Sequence, residues 1–176
     1  MVDVAISADR VQDPFEKRVP GMGLGRDPCR TPMQWDGSRH AGFTRGEPWL
    51  PVSDDHAAVN VREEEHDPTS FLSLYRKLLQ LRRAHPSLSL GEYEPIAAAG
   101  DLLAYVRRTE NERLLVVLNL GDEACGLSWD ALGLSGSLLL STHLDRPDEV
   151  FTDHVTLRAN EGVIAALSAR QKGASR

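Results

Sequence analysis

The sequence predicts an α+β chain whose irregular, helical and β parts follow one another, and three observations predict it. Residues 1–67 are rich in Gly, Pro, Trp and Asp with little periodicity. Apolar residues between 68 and 85 recur at three- and four-residue steps. From residue 87 to 170, short apolar runs alternate with turn residues at a spacing of roughly ten, the signature of an antiparallel sandwich.

The first part is punctuated by Asp13-Pro14, Val19-Pro20, Asp27-Pro28, Thr31-Pro32, Glu47-Pro48 and Leu50-Pro51, which excludes long helices. Such a long irregular run is unusual within a compact domain and reads as loops lying on something else. The helix is expected over 68–85. Asp67 is a good N-cap and Pro68 suits the first helical position. Phe71, Leu72, Leu74, Tyr75, Leu78, Leu79 and Leu81 form its apolar face, and His85-Pro86 stops it. Arg76, Lys77, Arg82 and Arg83 crowd its second half, either complementing the helix dipole on a solvated face or forming a phosphate or partner patch.

About seven strands follow. They are Gly91–Pro95, Leu102–Arg108, Arg113–Leu120, Ala124–Trp129, Ser137–Leu144, His154–Arg158 and Gly162–Ser168, with turns at Asn111 and Gly121-Asp122-Glu123. The tail 171–176 is expected to fray.

The 176 residues are 41% hydrophobic and 26% charged, which fits one soluble domain or two small ones. Twenty Lys and Arg against 26 Asp and Glu give a net charge of −6, which argues against a nucleic-acid partner bound by bulk charge. The run Leu114–Leu118 is far shorter than the roughly 20 residues that span a bilayer, so no membrane association is expected. Met1-Val2-Asp3-Val4 has neither a basic nor an apolar leader region. Cys29 and Cys125 do not make a disulfide framework, and the expected compartment is the reducing cytoplasm.

Few residues form a chemical constellation. Gly21-Met22-Gly23-Leu24-Gly25 is not followed by a helix, so it reads as a loop with close backbone approach and not as a phosphate cradle. Histidines 40, 56, 66, 85, 143 and 154 show no metal-ligand spacing, and neither cysteine lies near the other. No metal or cofactor is expected, and no Gly-x-Ser-x-Gly elbow occurs. The stretch Arg26–Asp36 is different: two Arg, two Asp, Gln34 and Trp35 fall within it. Arg and Asp donate and accept at fixed geometry, as sugar hydroxyls require, and Trp offers an apolar face to a pyranose. The same residues also suit an Arg–Asp lattice that holds a loop in shape.

Val11-Gln12-Asp13-Pro14-Phe15-Glu16-Lys17 and Gly25-Arg26-Asp27-Pro28-Cys29-Arg30-Thr31-Pro32-Met33-Gln34-Trp35-Asp36 resemble the late region of α-glucosidases of the α-amylase superfamily, glycoside hydrolase family 13, of the oligo-1,6-glucosidase type. Ala41–Thr44, Pro48–Val52, Asn60-Val61, Ser73–Arg83 with His85-Pro86, and more loosely Leu138–Thr142 and Leu157–Val163, extend the resemblance over nearly the whole chain. It implies the last strand and helix portion of a (β/α)8 barrel over 1–87 and an all-β antiparallel C-terminal sandwich over 88–170. Residues 1–67 would then be barrel loops around a short eighth strand near Met33-Gln34-Trp35, and 68–85 the last barrel helix.

The family cleaves or transfers terminal α-glucosyl units of short oligosaccharides with retention, which needs two carboxyl groups about 5 Å apart. The family's Gly-Phe-Arg-x-Asp and Asn-His-Asp motifs, and its downstream Glu segment, do not occur in this sequence. No catalytic residue is therefore carried over, and the chain alone is expected to be inactive. The resemblance implies that Arg26, with Arg30 as the rival position, reaches the non-reducing glucose. Asp27 would stand beside it, and Gln34, Trp35 and Asp36 would support the loop. Met1 falls where such relatives carry an internal Met, so the chain reads as the C-terminal piece of an α-glucosidase.

Two other readings stand beside this one. The sandwich could be a non-catalytic module for carbohydrate contact. Alternatively, the face at Phe71, Leu74, Tyr75 and Leu78 could dock on a separate barrel-bearing chain. Short α-glucosides would be ligands only when the barrel is complete.

Overall fold

The computed structural model describes residues 4–128 and 134–169. The chain falls into two units, dividing after Ser73. Its regular structure is mostly antiparallel sheet, with few helices.

The first unit holds short helices joined by turns: a 3-10 turn at Ala8–Arg10, α1 at Pro14–Arg18, a second 3-10 turn at Asp27–Cys29, and α2 at Val61–His66. Asp13 caps α1 by accepting the Phe15 and Glu16 amides, and Pro14 occupies the first turn, where its missing N–H costs nothing. Asn60 caps α2 through Glu63 N–H at 3.1 Å.

The strand expected near Met33–Trp35 is not formed. A barrel strand needs parallel neighbours to pair its N–H and C=O groups, and none of the described residues up to Ser73 is in a strand. The backbone groups find turn partners instead. Trp35 N–H donates to Ala41 C=O at 2.8 Å, while Gln34 and Trp35 carbonyls accept from Val61 and Arg62.

Helix α3 runs Phe71–Ala84 and starts later than expected. Asp67 turns its carboxylate to Thr69, and the Ser70 hydroxyl takes the capping role by accepting Ser73 N–H at 3.1 Å. Of its apolar face, Leu74 is buried and Leu78 half-buried, so the exposed stripe is Phe71, Tyr75 and Leu79. A one-turn helix α4, Ser87–Leu90, follows and packs against β2 and β3.

The described residues of the second unit form eight strands: β1 Glu92–Ile96, β2 Leu102–Arg108, β3 Arg113–Asn119, β4 Cys125–Ser128, β5 Leu134–Ser141, β6 Val150–Thr152, β7 His154–Leu157 and β8 Gly162–Ala169. The expected strand end at Trp129 and the frayed tail 171–176 lie outside the described residues. Six strands form one sheet in the order β1-β2-β3-β8-β5-β6, and β4 pairs with β7 in a second. All pairs are antiparallel.

Alternation sends Ala104, Val106, Leu115, Val117, Val163 and Ala165 of the large sheet to one face. There they meet Leu127, Val155 and Leu157 of the small sheet in a single core. The two layers fit a sandwich. Central strand β3 is also buried on its other face at Leu114 and Val116, which accounts for its unbroken apolar run. Register places Gly136 opposite Phe151, and a Cβ there would run into the ring. The glycine is what lets the aromatic lie flat across β5.

The turn between β7 and β8 carries a buried charge, Glu161, which is 1% exposed. Its carboxylate accepts from Ser141 Oγ at 2.5 Å, Arg158 N–H at 2.8 Å, Arg158 Nη2 at 2.8 Å and Arg146 Nη1 at 3.1 Å. The outer ends of the two guanidiniums are held by Asp145 and Glu149.

Candidate functional site

The loops of the first unit are organised by three carboxylates. Asp27 is 2% exposed and accepts the backbone N–H groups of Gln12 and Asp13, each at 2.7 Å, through Oδ2. Asp13, equally buried, uses Oδ1 for the α1 cap and Oδ2 for Arg26 Nε at 3.4 Å. Burial would push the Asp13 carboxyl up, but the amides of Phe15 and Glu16 and the contacts with Arg26 outweigh it and hold it below its ordinary value. Glu16 accepts Gly21 N–H at 2.9 Å and Gly25 N–H at 3.2 Å, which folds the glycine-rich loop back onto α1. A Cβ at Gly25 would lie 2.8 Å from Glu16 Cβ, so glycine is required by close approach.

The result is a rigid base beneath an exposed cation. The Arg26 side chain is 68% exposed and is tied to Asp13 through Nε. Asp27 Oδ1 is buried without a partner among the described residues. The residue Asp27 lines a cavity of about 100 Å³ together with Ile6, Val11, Glu16, Gly23, Gly25 and Pro28. A buried carboxylate oxygen left without a donor is costly. Arg30 follows the 3-10 turn and is exposed.

Gln34, Trp35 and Asp36 form a separate group. Gln34 Nε2 donates to Val59 C=O at 2.5 Å and Asp55 Oδ1 at 3.2 Å. Asp36 accepts Ser38 N–H at 2.9 Å and pairs with Arg62 at 3.3 Å; Ser38 foremost, then Arg62, keeps its carboxyl below the ordinary value. The Trp35 ring is half-exposed. Hydrogen bonds thus tie Arg26, Asp27 and Asp13 together, and tie Gln34 and Asp36 to the segment at 55–62.

Asp13 and Glu16 hold the loop around Arg26, and the sequence reading does not include them among the site residues. The signal was present: Asp-Pro-x-Glu is an N-cap, a Pro at the first turn and an acidic residue three on. Among the described residues, no group of three His, Cys, Asp or Glu is placed to hold a metal, and no helix is long and apolar enough to cross a membrane.

The catalytic-domain model of the alpha-amylase family matches residues 1–91. A probable alpha-glucosidase of Rhizobium meliloti is 37% identical over 124 residues, covering 70% of this chain and 22% of its own length. An oligo-1,6-glucosidase of Parageobacillus thermoglucosidasius is 40% identical over 113 residues, covering 64% and 20%. Among solved structures, the trehalulose synthase MutB of Pseudomonas mesoacidophila superposes with a TM-score of 0.73 at 33% identity, covering 82% of this chain and 26% of the other. The isomaltulose synthase of Klebsiella sp. LX3 gives 0.71 at 30%, with 82% and 26% covered. The chain thus spans about a quarter or less of the length of these relatives. The Arg-Asp loop, the helix that follows it and the match over residues 1–91 place the chain in the alpha-amylase family, glycoside hydrolase family 13, among its α-glucosidase-like members.

Proposed function

We propose that this chain carries the glucose-recognising loop of an α-glucosidase of the oligo-1,6-glucosidase type, together with its C-terminal sheet module. Residues 1–87 correspond to the last part of the barrel and 88–170 to the sandwich. The observation that supports this reading is a largely exposed Arg26 side chain followed directly in sequence by a buried Asp27, one of whose carboxylate oxygens lacks a donor among the described residues. One supplies donors and the other an acceptor, the complement that a sugar hydroxyl pair needs. Arg30 is the second cation of the loop. Gln34, Trp35 and Asp36 stiffen the segment that follows.

The 176-residue chain does not hydrolyse glucosides by itself. A retaining site needs a nucleophile and an acid/base carboxyl about 5 Å apart, and the sequence holds neither family motif. Short α-glucosides bind when the remaining barrel is supplied, whether on the same chain or by a separate barrel-bearing chain resting on Phe71, Tyr75 and Leu79. The free thiols of Cys29 and Cys125 suit a cytoplasmic setting.

The test mixes this chain with the complementary part of a family catalytic domain and follows nitrophenyl α-glucoside and isomaltose cleavage. Turnover is expected only in the mixture. Arg26→Ala is expected to cost it tenfold to a hundredfold, the worth of about 1.5–3 kcal/mol for a charged hydrogen bond. Turnover by the chain alone, or a mixture indifferent to Arg26→Ala, overturns the reading.

The runner-up, a non-catalytic module for carbohydrate contact, is favoured by a different observation. The second unit has its own core and a cleft of its own.

A further inference from the structure

The cleft lies at the end of the large sheet where β2 turns into β3, and encloses about 740 Å³. That is ample for a small ligand. Its frame is stiff. Thr109 N–H donates to Glu112 C=O at 2.9 Å and closes the turn. Arg108 is fixed by Glu92 at 2.5 Å and Glu94 at 2.6 Å. Glu112 is fixed by His85 Nδ1 and Ser87 Oγ, each at 2.5 Å. Ser87 is fully buried, so this side of the frame is anchored beneath α4.

Within that frame, Glu110, Asn111 and Arg113 are exposed and have no polar partner among the described residues. They present a carboxylate, an amide and a guanidinium side by side. Leu90, which is 86% exposed, and Leu167 add apolar surface. The lining mixes three carboxylates with two guanidiniums, so neither an anion nor a cation is strongly favoured. A neutral ligand that both donates and accepts along its length, with apolar C–H faces between, fits these groups.

We propose that this cleft binds a neutral α-glucan chain, through Glu110, Asn111 and Arg113, at a site separate from the Arg26 loop. The choice of sugar rests on the α-glucosidase reading above; the polyhydroxylated character rests on the cleft itself.

The test titrates the ¹⁵N-labelled full chain with maltoheptaose, isomaltoheptaose and, as a control for a basic peptide, oligolysine. Amide shifts confined to residues 108–113 and Glu92, at millimolar sugar, are the expected result. The triple variant Glu110→Ala, Asn111→Ala, Arg113→Ala is expected to weaken them at least tenfold. These positions are exposed, and an unchanged thermal melt certifies the fold. No shift with either sugar overturns the proposal, as do shifts that survive the triple variant or a response to oligolysine alone. Complementation by a barrel piece reads the Arg26 loop independently, so a failure here leaves that reading standing, and a failure there leaves the cleft binding measurable.

Discussion

Glu161 and Arg158, three residues apart in the turn between β7 and β8, are joined through both main chain and side chain. The carboxylate accepts Arg158 N–H at 2.8 Å and its Nη2 at 2.8 Å. Burial alone would raise the Glu161 carboxyl, but the Arg158 side chain, the Arg158 amide, Ser141 and Arg146 together bring it down to about 2.

An acid-dependent stability follows. A carboxyl lowered on folding stabilises the native state above its unfolded value and loses that contribution as pH falls through the folded value. For Glu161 the window runs from about 4.5 down to about 2, and the contribution is about 3 kcal/mol. Chemical denaturation at pH 7, 4 and 3 checks this. Midpoints should fall across that range in the wild type and fall less in Glu161→Gln.

Glu161→Gln is also expected to cost stability at pH 7, by about 1–3 kcal/mol, because a neutral amide replaces the buried carboxylate that accepts from Ser141, Arg146 and Arg158. Arg146→Ala and Glu161→Gln should be strongly non-additive, since they share one network. Additive losses in a double-mutant cycle would refute the shared network.

Gly136→Ala should destabilise by about 1–3 kcal/mol, because the new methyl meets the Phe151 ring. Phe151→Leu in the same chain should recover part of the loss. A neutral Gly136→Ala in thermal melts would contradict the packing.

Leu138→Ala, at a fully buried core position, should cost about 2–5 kcal/mol, whereas Leu79→Ala, at a half-exposed helix position, should stay within about 0.5 kcal/mol. If a barrel piece docks on α3 as proposed, Leu79→Ala should also weaken that complex.

Asp27→Ala should loosen residues 10–30 as a group by removing the acceptor of two backbone N–H groups. Hydrogen exchange is expected to rise together at Gln12, Asp13 and Arg30 amides while the sheet amides stay protected. Exchange confined to residue 27 and its neighbours would contradict a shared anchor.

Much of the sheet was legible because alternation is a local signal. Leu102–Arg108 was read with its true ends, and the run at 114–118 marked the central strand. Strand β6 was not read, because three residues beside a turn carry too little pattern. Helix α3 began three residues late because Asp67 and Ser70 are both good caps, and only tertiary contacts choose between them. In the loop, composition marked Arg26 and Asp27, but not that Asp13 holds Arg26 and that Glu16 holds Gly25 beside it. Those partners lie nine or more residues away in sequence, where no periodicity links them.

Strand β8 sits between β3 and β5, in the middle of the sheet rather than at its border. A ribosome therefore delivers the central piece after every strand it must join. Until residues 162–169 emerge, β1–β3 and β5–β6 are two open half-sheets with bare inner edges, the period in which strand exchange between nascent chains is most favoured.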